Sequence, residues 1–328
     1  MRGAHEPHES HDRHSRRSRI SEPSVFLNVP VPHPPWPRQS FNFALFFFAY
    51  YGFVGVFSPY ATLYFADKGM LAAEIGVLMS LTQVMRIFGP NLWGWVADHS
   101  GRRLLVLRLT ALAALLSFSG IFFGQTFIQF FIVMVLLTLF NSAQGPLSEG
   151  LMLSEMRGDL THYGRLRLWG SVGFIVSVMA AGQLLDWRGI GVMPWIASAL
   201  LALVLIANWR MRETPALHAH DKPPPVRELL RRPEVIAFFL STFLMIAAHS
   251  ALYVFFSLYL EQLGYSNTVI GLMWALGVVA EIVFYYYQAP LFRRFGVRNI
   301  MLACLLIGFV RFLMIGFCAQ SLFWLLIA

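Results

Sequence analysis

From Phe41 onward the chain consists of long apolar runs joined by short polar links, with no alternation of apolar and polar positions inside the runs. A run of about 20 residues spans the hydrocarbon core of a bilayer as a helix, so each run predicts one crossing. Strands are excluded, because an open segment in lipid must close its own backbone hydrogen bonds. The predicted spans are 42–65, 74–97, 104–123, 127–151, 165–186, 190–209, 235–260, 267–290 and 299–318, and a further run begins at Leu322 and stops at Ala328. The pattern is that of an all-α polytopic membrane protein with about nine full spans and the start of a tenth.

Two segments depart from this pattern. Residues 1–40 carry His5, His8, His11 and His14, Arg13, Arg16, Arg17 and Arg19, and five prolines between Val29 and Pro37. Such a segment has too little apolar surface to fold and is expected to be a disordered tail. Its histidine spacing suggests metal binding, but a flexible tail preorganises no ligands, so no metal is expected. It contains no short apolar core followed by a small-residue cleavage site and is not a signal peptide. The second segment, 211–234, contains Pro215 and the run Pro223-Pro224-Pro225, and reads as a connector. It separates a six-helix bundle, 41–210, from a second, incomplete bundle, 235–328.

Composition agrees: 57% of the 328 residues are apolar and 13% charged, with a mean hydropathy of +0.60, so lipid rather than water is the solvent of this fold. The net charge of +8 would suit nucleic acid, yet the basic residues fall in the links. One side carries the tail, Arg102 and Arg103, Arg157, six basic residues between Arg210 and Arg232, and Arg293, Arg294 and Arg298; the other carries Lys68 and Arg188. This asymmetry predicts a cytoplasmic N-terminus and connector, and no nucleic-acid partner. Cys304 and Cys318 would lie about 21 Å apart along one helix at about 1.5 Å per residue, too far for a disulfide.

Almost every charge falls in a link, the tail or a helix end; the exceptions are Arg86, Glu149, Glu281 and Arg311, with Glu149 near the cytoplasmic end of its span. A charge at bilayer depth costs a few kcal/mol or more unless it faces a cavity or a partner, so these four mark a polar pathway. Gly52, Gly55, Pro59, Gly89, Pro90, Gly145 and Pro146 lie inside spans, where they bend helices or let them pack closely. No nucleophile, metal cluster or phosphate loop stands out, and Gly170 to Gly173 read as helix packing rather than a dinucleotide loop. An enzyme is therefore not expected.

The link after the second span reads Gly94-Trp95-Val96-Ala97-Asp98-His99-Ser100-Gly101-Arg102-Arg103. It resembles the signature of the major facilitator superfamily, whose fold is two helical bundles. The resemblance implies a gating role for Gly94, Asp98, Gly101, Arg102 and Arg103, with Asp98 pairing with arginine and capping a neighbouring helix. The corresponding link of the second half, Ala289 to Gly296, lacks the acid. Gly145-Pro146-Leu147-Ser148-Glu149-Gly150 and the run Tyr163 to Phe174 resemble the fourth and fifth spans of the lactose permease group. That resemblance implies substrate binding by Glu149 and Arg167, with Asn141 and Phe174 beside them, Phe174 standing where the permease has a sugar-stacking tryptophan. The stretch Ala248 to Tyr253 and the run Gly264 to Glu281 resemble the phenylpropionate-transporter branch.

Taken over residues 41–328, the resemblance implies alternating-access, proton-coupled symport of a small organic solute: an aromatic acid such as phenylpropionate, a sugar or a nucleoside. Glu281 and Arg311 would form the coupling network and His249 a relay; Arg86 has no assigned role. The protein is expected to act as a monomer in a bacterial cytoplasmic membrane, with protons as coupling ion and no other cofactor. The competing expectations are a proton-coupled drug or metabolite antiporter and a receptor-like fragment that does not transport.

Overall fold

A computed structural model describes residues 39–156, 160–213 and 231–328, all within one compact unit. The histidine-bearing tail, Arg157 and most of the 211–234 connector lie outside the described residues. Every regular element among the described residues is helical. They are α1 (Ser40–Asp67), α2 (Ala72–Ser100), α3 (Arg103–Ser119), α4 (Phe127–Asn141), α5 (Gln144–Glu155), α6 (Leu160–Arg188), α7 (Met193–Arg210), α8 (Pro233–Gln262), α9 (Asn267–Cys318) and α10 (Leu322–Ile327). Single 3-10 turns extend α3 and precede α7.

Local sequence sets these ends. Glu74 accepts the Leu71 amide at 2.8 Å to start α2, and Gly101, at φ +62°, ends it. Gln129 accepts the Thr126 amide at 3.1 Å ahead of α4, and proline occupies the first turns of α7 and α8. The predicted fourth span is one crossing made of two helices, broken at Ser142-Ala143. Pro146 supplies the reason: without an N–H it cannot bond the carbonyl four residues back, at Ser142.

Among the described residues, seven segments are long and apolar enough to cross a membrane by themselves. The predicted second span, α2, falls short on composition because Glu74, Gln83, Arg86, Asn91 and Asp98 dilute it. It nevertheless packs along α4, with Trp93 Nε1 donating to the Leu139 carbonyl at 2.8 Å. The eighth and ninth predicted spans form a single helical stretch of 52 residues, interrupted at Gly296 (φ 74°, ψ 156°). A straight helix of that length would measure about 78 Å at about 1.5 Å per residue. Yet Tyr265, just before α9, donates to the carbonyl of Ala319, just after it, at 2.7 Å, and Tyr259 of α8 donates to Ile315 at 3.3 Å. The chain therefore reverses at Gly296, and α9 is a hairpin of two crossings whose second arm runs alongside α8. A positive φ of this size is available to glycine at little cost.

Helices α1 and α6 form the tightest seam. A Cβ at Gly173 would lie 2.2 Å from the Phe48 carbonyl oxygen, one at Gly55 2.8 Å from that of Phe174, and one at Gly52 2.6 Å from Ser177 Oγ. Each contact requires a hydrogen where other residues carry carbon, the close approach that small residues permit in membrane helices.

Buried apolar side chains form two clusters. One joins both halves of the chain, with Phe53, Tyr60, Val178 and Leu185 meeting Leu260, Ile270 and Met273. The other, around Phe43, Phe46, Leu107, Leu147 and Leu166, contains residues of the first half alone. Among the described residues the two halves thus meet at the end away from Ser40 and part at the end near it. The contact is sealed by polar groups. Tyr60 of α1 donates its hydroxyl toward the carbonyls of Val178 and Asn267, both at 3.0 Å. Asp186, near the end of α6, accepts the backbone amides of Asn267 at 2.7 Å and Thr268 at 2.9 Å, together with both their side chains. A first-half carboxylate thereby satisfies free N–H groups at the start of α9, the end of a helix dipole that favours negative charge.

Candidate functional site

The break in the fourth span turns α5 so that Glu149 meets α6. Arg167 Nε lies 3.6 Å from Glu149 Oε1, and the two side chains remain 33% and 35% exposed, so the pair is accessible rather than sealed in a core. The two residues that the resemblance places in one substrate site are neighbours here. The sequence reading did not include α1, which supplies most of the pair's surroundings. Arg167 donates from Nη2 to the Tyr51 hydroxyl, its guanidinium carbon sits 4.0 Å from the centre of the Tyr51 ring, and the Phe47 ring centre is 5.8 Å away. Tyr50 and Tyr51 both lie within electrostatic reach of Arg86, Glu149 and Arg167, which brings Arg86, unassigned by sequence, into the same neighbourhood. Arg86 itself donates to Gln83 at 3.5 Å. The group lies against the cluster confined to the first half, toward the end where the two halves part.

The other expected contacts of this group fall elsewhere. Phe174 stands two helical turns beyond Arg167, is 9% exposed and packs in the cluster shared by both halves, with its backbone against Gly55; this is a packing position. Asn141 ends α4, and its Oδ1 is buried without a hydrogen-bond partner at the break. A buried unpaired carbonyl oxygen is costly, so the break holds an acceptor with spare capacity.

In the link between α2 and α3, Asp98 Oδ1 and Arg103 Nη2 are 3.6 Å apart. Gly94 and Gly101 face open space, and the Arg102 amide donates to Ser100 Oγ at 3.3 Å. Asp98 was expected to cap a neighbouring helix as well. The cap on α3 comes instead from Glu213, beyond α7, whose Oε2 accepts the Leu104 amide at 2.9 Å. Asp98 is already turned toward Arg103, and Glu213 is fixed nearby because Arg108 donates to the carbonyls of Asn208, Trp209 and Met211.

In the second half, Glu281 and Arg311 occupy opposite arms of α9, fifteen residues before and fifteen after Gly296. They therefore lie at matching depth, about 22 Å from the bend at about 1.5 Å per residue, yet no ion pair joins them. His249 of α8 accompanies the second arm. Its Nδ1 is 2.9 Å from the Met245 carbonyl, its ring is 5.1 Å from that of Phe312, and it lines a cavity of about 330 Å³ with Ser241, Cys304 and Phe312. The structure brings His249 beside the residue next to Arg311 and leaves Glu281 apart from both.

Residues that the sequence reading missed are Tyr51, Tyr60, Asp186 and Glu213. Tyr51 and Tyr60 are two of several hydroxyl-bearing residues in the first span, and Asp186 and Glu213 sit near or beyond helix ends; in each case only tertiary structure reveals the partner.

An all-helical membrane fold whose halves meet at one end, with an accessible ion pair toward the other, defines the class of polytopic solute transporters. The chain belongs to the MFS_1-like family of the major facilitator superfamily, whose family model matches residues 40–328. Its relatives include the "Probable 3-phenylpropionic acid transporter" of Escherichia coli K12, 28% identical over 287 residues covering 87% of this chain and 76% of that protein. The "Maltose permease" of Geobacillus stearothermophilus is 32% identical over 278 residues, covering 83% of this chain and 69% of that protein. Among solved structures, the nucleoside transporter NupG superposes with a TM-score of 0.77 over 88% of this chain and 77% of that one; at 16% identity this likeness carries the fold. These relatives are transporters, and the chain is not an enzyme.

Proposed function

We propose that the chain is a proton-coupled symporter that takes up a small organic solute, an aromatic carboxylate in preference to a sugar, across a bacterial cytoplasmic membrane with its N-terminus inside. The accessible Glu149–Arg167 pair carries this reading. A guanidinium flanked by aromatic rings can bind a carboxylate by charge-assisted hydrogen bonds while the rings receive an apolar body. The name of the Escherichia coli relative supports an aromatic acid, and that of the Geobacillus relative keeps a sugar in view. Transport proceeds by alternating access, the halves rocking so that the end now parted closes as the sealed end opens. Glu281 carries the coupling proton, Arg311 biases its release, and His249, whose ring lies against Phe312 next to Arg311, is the relay.

The substrate site is tested by binding 3-phenylpropionate to Glu149→Gln and Arg167→Ala proteins. Loss of one charge-assisted contact is expected to weaken binding by about ten-fold or more for Arg167→Ala, with a smaller change for Glu149→Gln. Undiminished affinity in both variants would remove these residues from the site.

Asp98, paired with Arg103 at the parted end, is assigned to gating. In Asp98→Asn, turnover is expected to fall several-fold while equilibrium substrate affinity stays the same, because a contact between states is lost rather than a substrate contact. Stopped-flow exchange rates equal to those of the unmodified protein would leave Asp98 a structural residue.

A further inference from the structure

Arg167 is held mainly by Tyr51. At 3.6 Å the Glu149 carboxylate is an electrostatic neighbour of Arg167, whereas the hydroxyl of Tyr51 is its hydrogen-bond acceptor. The same tyrosine offers its ring face 4.0 Å from the guanidinium carbon. Both modes act on one planar cation, the first fixing one N–H and the second the plane's distance from α1.

The tyrosine is itself confined. Tyr50 meets it edge-on with ring centres 5.2 Å apart, and Phe47 stacks on its other flank at 6.4 Å. On α6, one turn after Arg167, a Cβ at Gly170 would lie 2.7 Å from Tyr51 Cδ2 and 2.9 Å from Arg167 Nη1. A hydrogen at residue 170 is therefore what admits the ring and the guanidinium together. An arginine presents five N–H donors, so one spent on Tyr51 leaves a fork free for a carboxylate.

We infer that Tyr51 is a positioning residue that holds the Arg167 guanidinium in place, so that it can exchange Glu149 for a substrate carboxylate, making the site select organic anions over their neutral analogues. The inference rests on the substrate-site reading above. Glu149 neutralises the arginine while the site is empty; an incoming carboxylate replaces that neighbour without the arginine having to find a new rotamer.

The test is counterflow in proteoliposomes, with 3-phenylpropionate as substrate and its primary amide as competitor. Tyr51→Phe keeps the ring and removes the hydroxyl. It is expected to raise KM for the carboxylate about ten-fold, the effect of losing one hydrogen bond to a charged group. Maximal turnover should stay within about two-fold and the amide's inhibition constant should not change, so the preference for the anion collapses; a general packing defect would affect both ligands alike. If Tyr51→Phe does not reach the membrane, Gly170→Ala, which drives ring and guanidinium apart, is read as the ratio of its effects on carboxylate and amide, because moving the ring shifts both ligands while the guanidinium serves only the anion. Arg167→Ala separates the two ways of failing. Loss of anion preference in Arg167→Ala with full preference in the Tyr51 or Gly170 variant overturns the inference and leaves the site standing. Unaltered preference in Arg167→Ala, or no preference in the unmodified protein, overturns the substrate-site reading and the inference with it.

Discussion

Glu281→Gln is expected to abolish uphill, proton-driven accumulation while preserving substrate exchange between equal pools. Glu281 lies in the first arm of α9 among Val279, Ala280, Ile282 and Val283, and it forms no ion pair among the described residues. Arg311 waits at the same depth on the second arm. A rearrangement that brings the guanidinium close favours release of the carboxyl proton, and one that withdraws it favours recapture. Glutamine keeps the shape and cannot carry the proton, so exchange continues without the gradient as a driving force. In proteoliposomes under an imposed proton-motive force the accumulation ratio should fall to about one for substrate linked to a single proton site. A mutant that still concentrates substrate would place the coupling site elsewhere.

Breaking the polar seal between the halves is expected to shift the protein toward the state open at the opposite end. Asp186→Ala removes a carboxylate that caps α9 through two amides and two side chains, and Tyr60→Phe removes the hydroxyl aimed at the Asn267 carbonyl. An N-cap contributes about 1 kcal/mol and a neutral hydrogen bond about another. Losing about 2 kcal/mol from one state changes a two-state ratio about thirty-fold. The measurement is the distance between spin labels at the exposed positions Lys68 and Gln262 in the double variant, read by pulsed electron resonance. A distribution identical to that of the unmodified protein would make the seal incidental to the conformational balance.

The helical class of the fold and the order of the apolar runs were legible because lipid imposes one rule on every span: a run of apolar residues that bonds to itself. The same rule located Glu149 among the charges that had no reason to be in a span, the motif resemblance supplied Arg167, and the two prove to be neighbours. The two interruptions were harder to read. Pro146 announced a bend in the fourth span but not that the bend would deliver Glu149 to α6. The reversal at Gly296 lay inside a predicted link, and the sequence could not say that helix would persist to its very edge.

Contacts between distant helices were not legible at all. Nothing local marks Asp186 as the cap of a helix that begins at Asn267, or Glu213 as the cap of α3, because both partners are chosen by how the bundle closes. Tyr51 shows the middle case: its hydroxyl was visible in the sequence, and its partner was not. Phe174 shows the converse, where position in a motif suggested a ligand contact and the narrow seam with α1 took the side chain for packing.

That seam also determines which parts can move. With the hydrogens of Gly173 and Gly55 against the carbonyl oxygens of Phe48 and Phe174, and that of Gly52 against Ser177 Oγ, α1 cannot slide or roll far on α6 without colliding, so the two helices travel as one rigid body. Tyr51 rides on one of them and Arg167 on the other. Their mutual geometry is then the same whichever face of the membrane the protein opens to, and the affinity they confer changes between states only through what the second half presents.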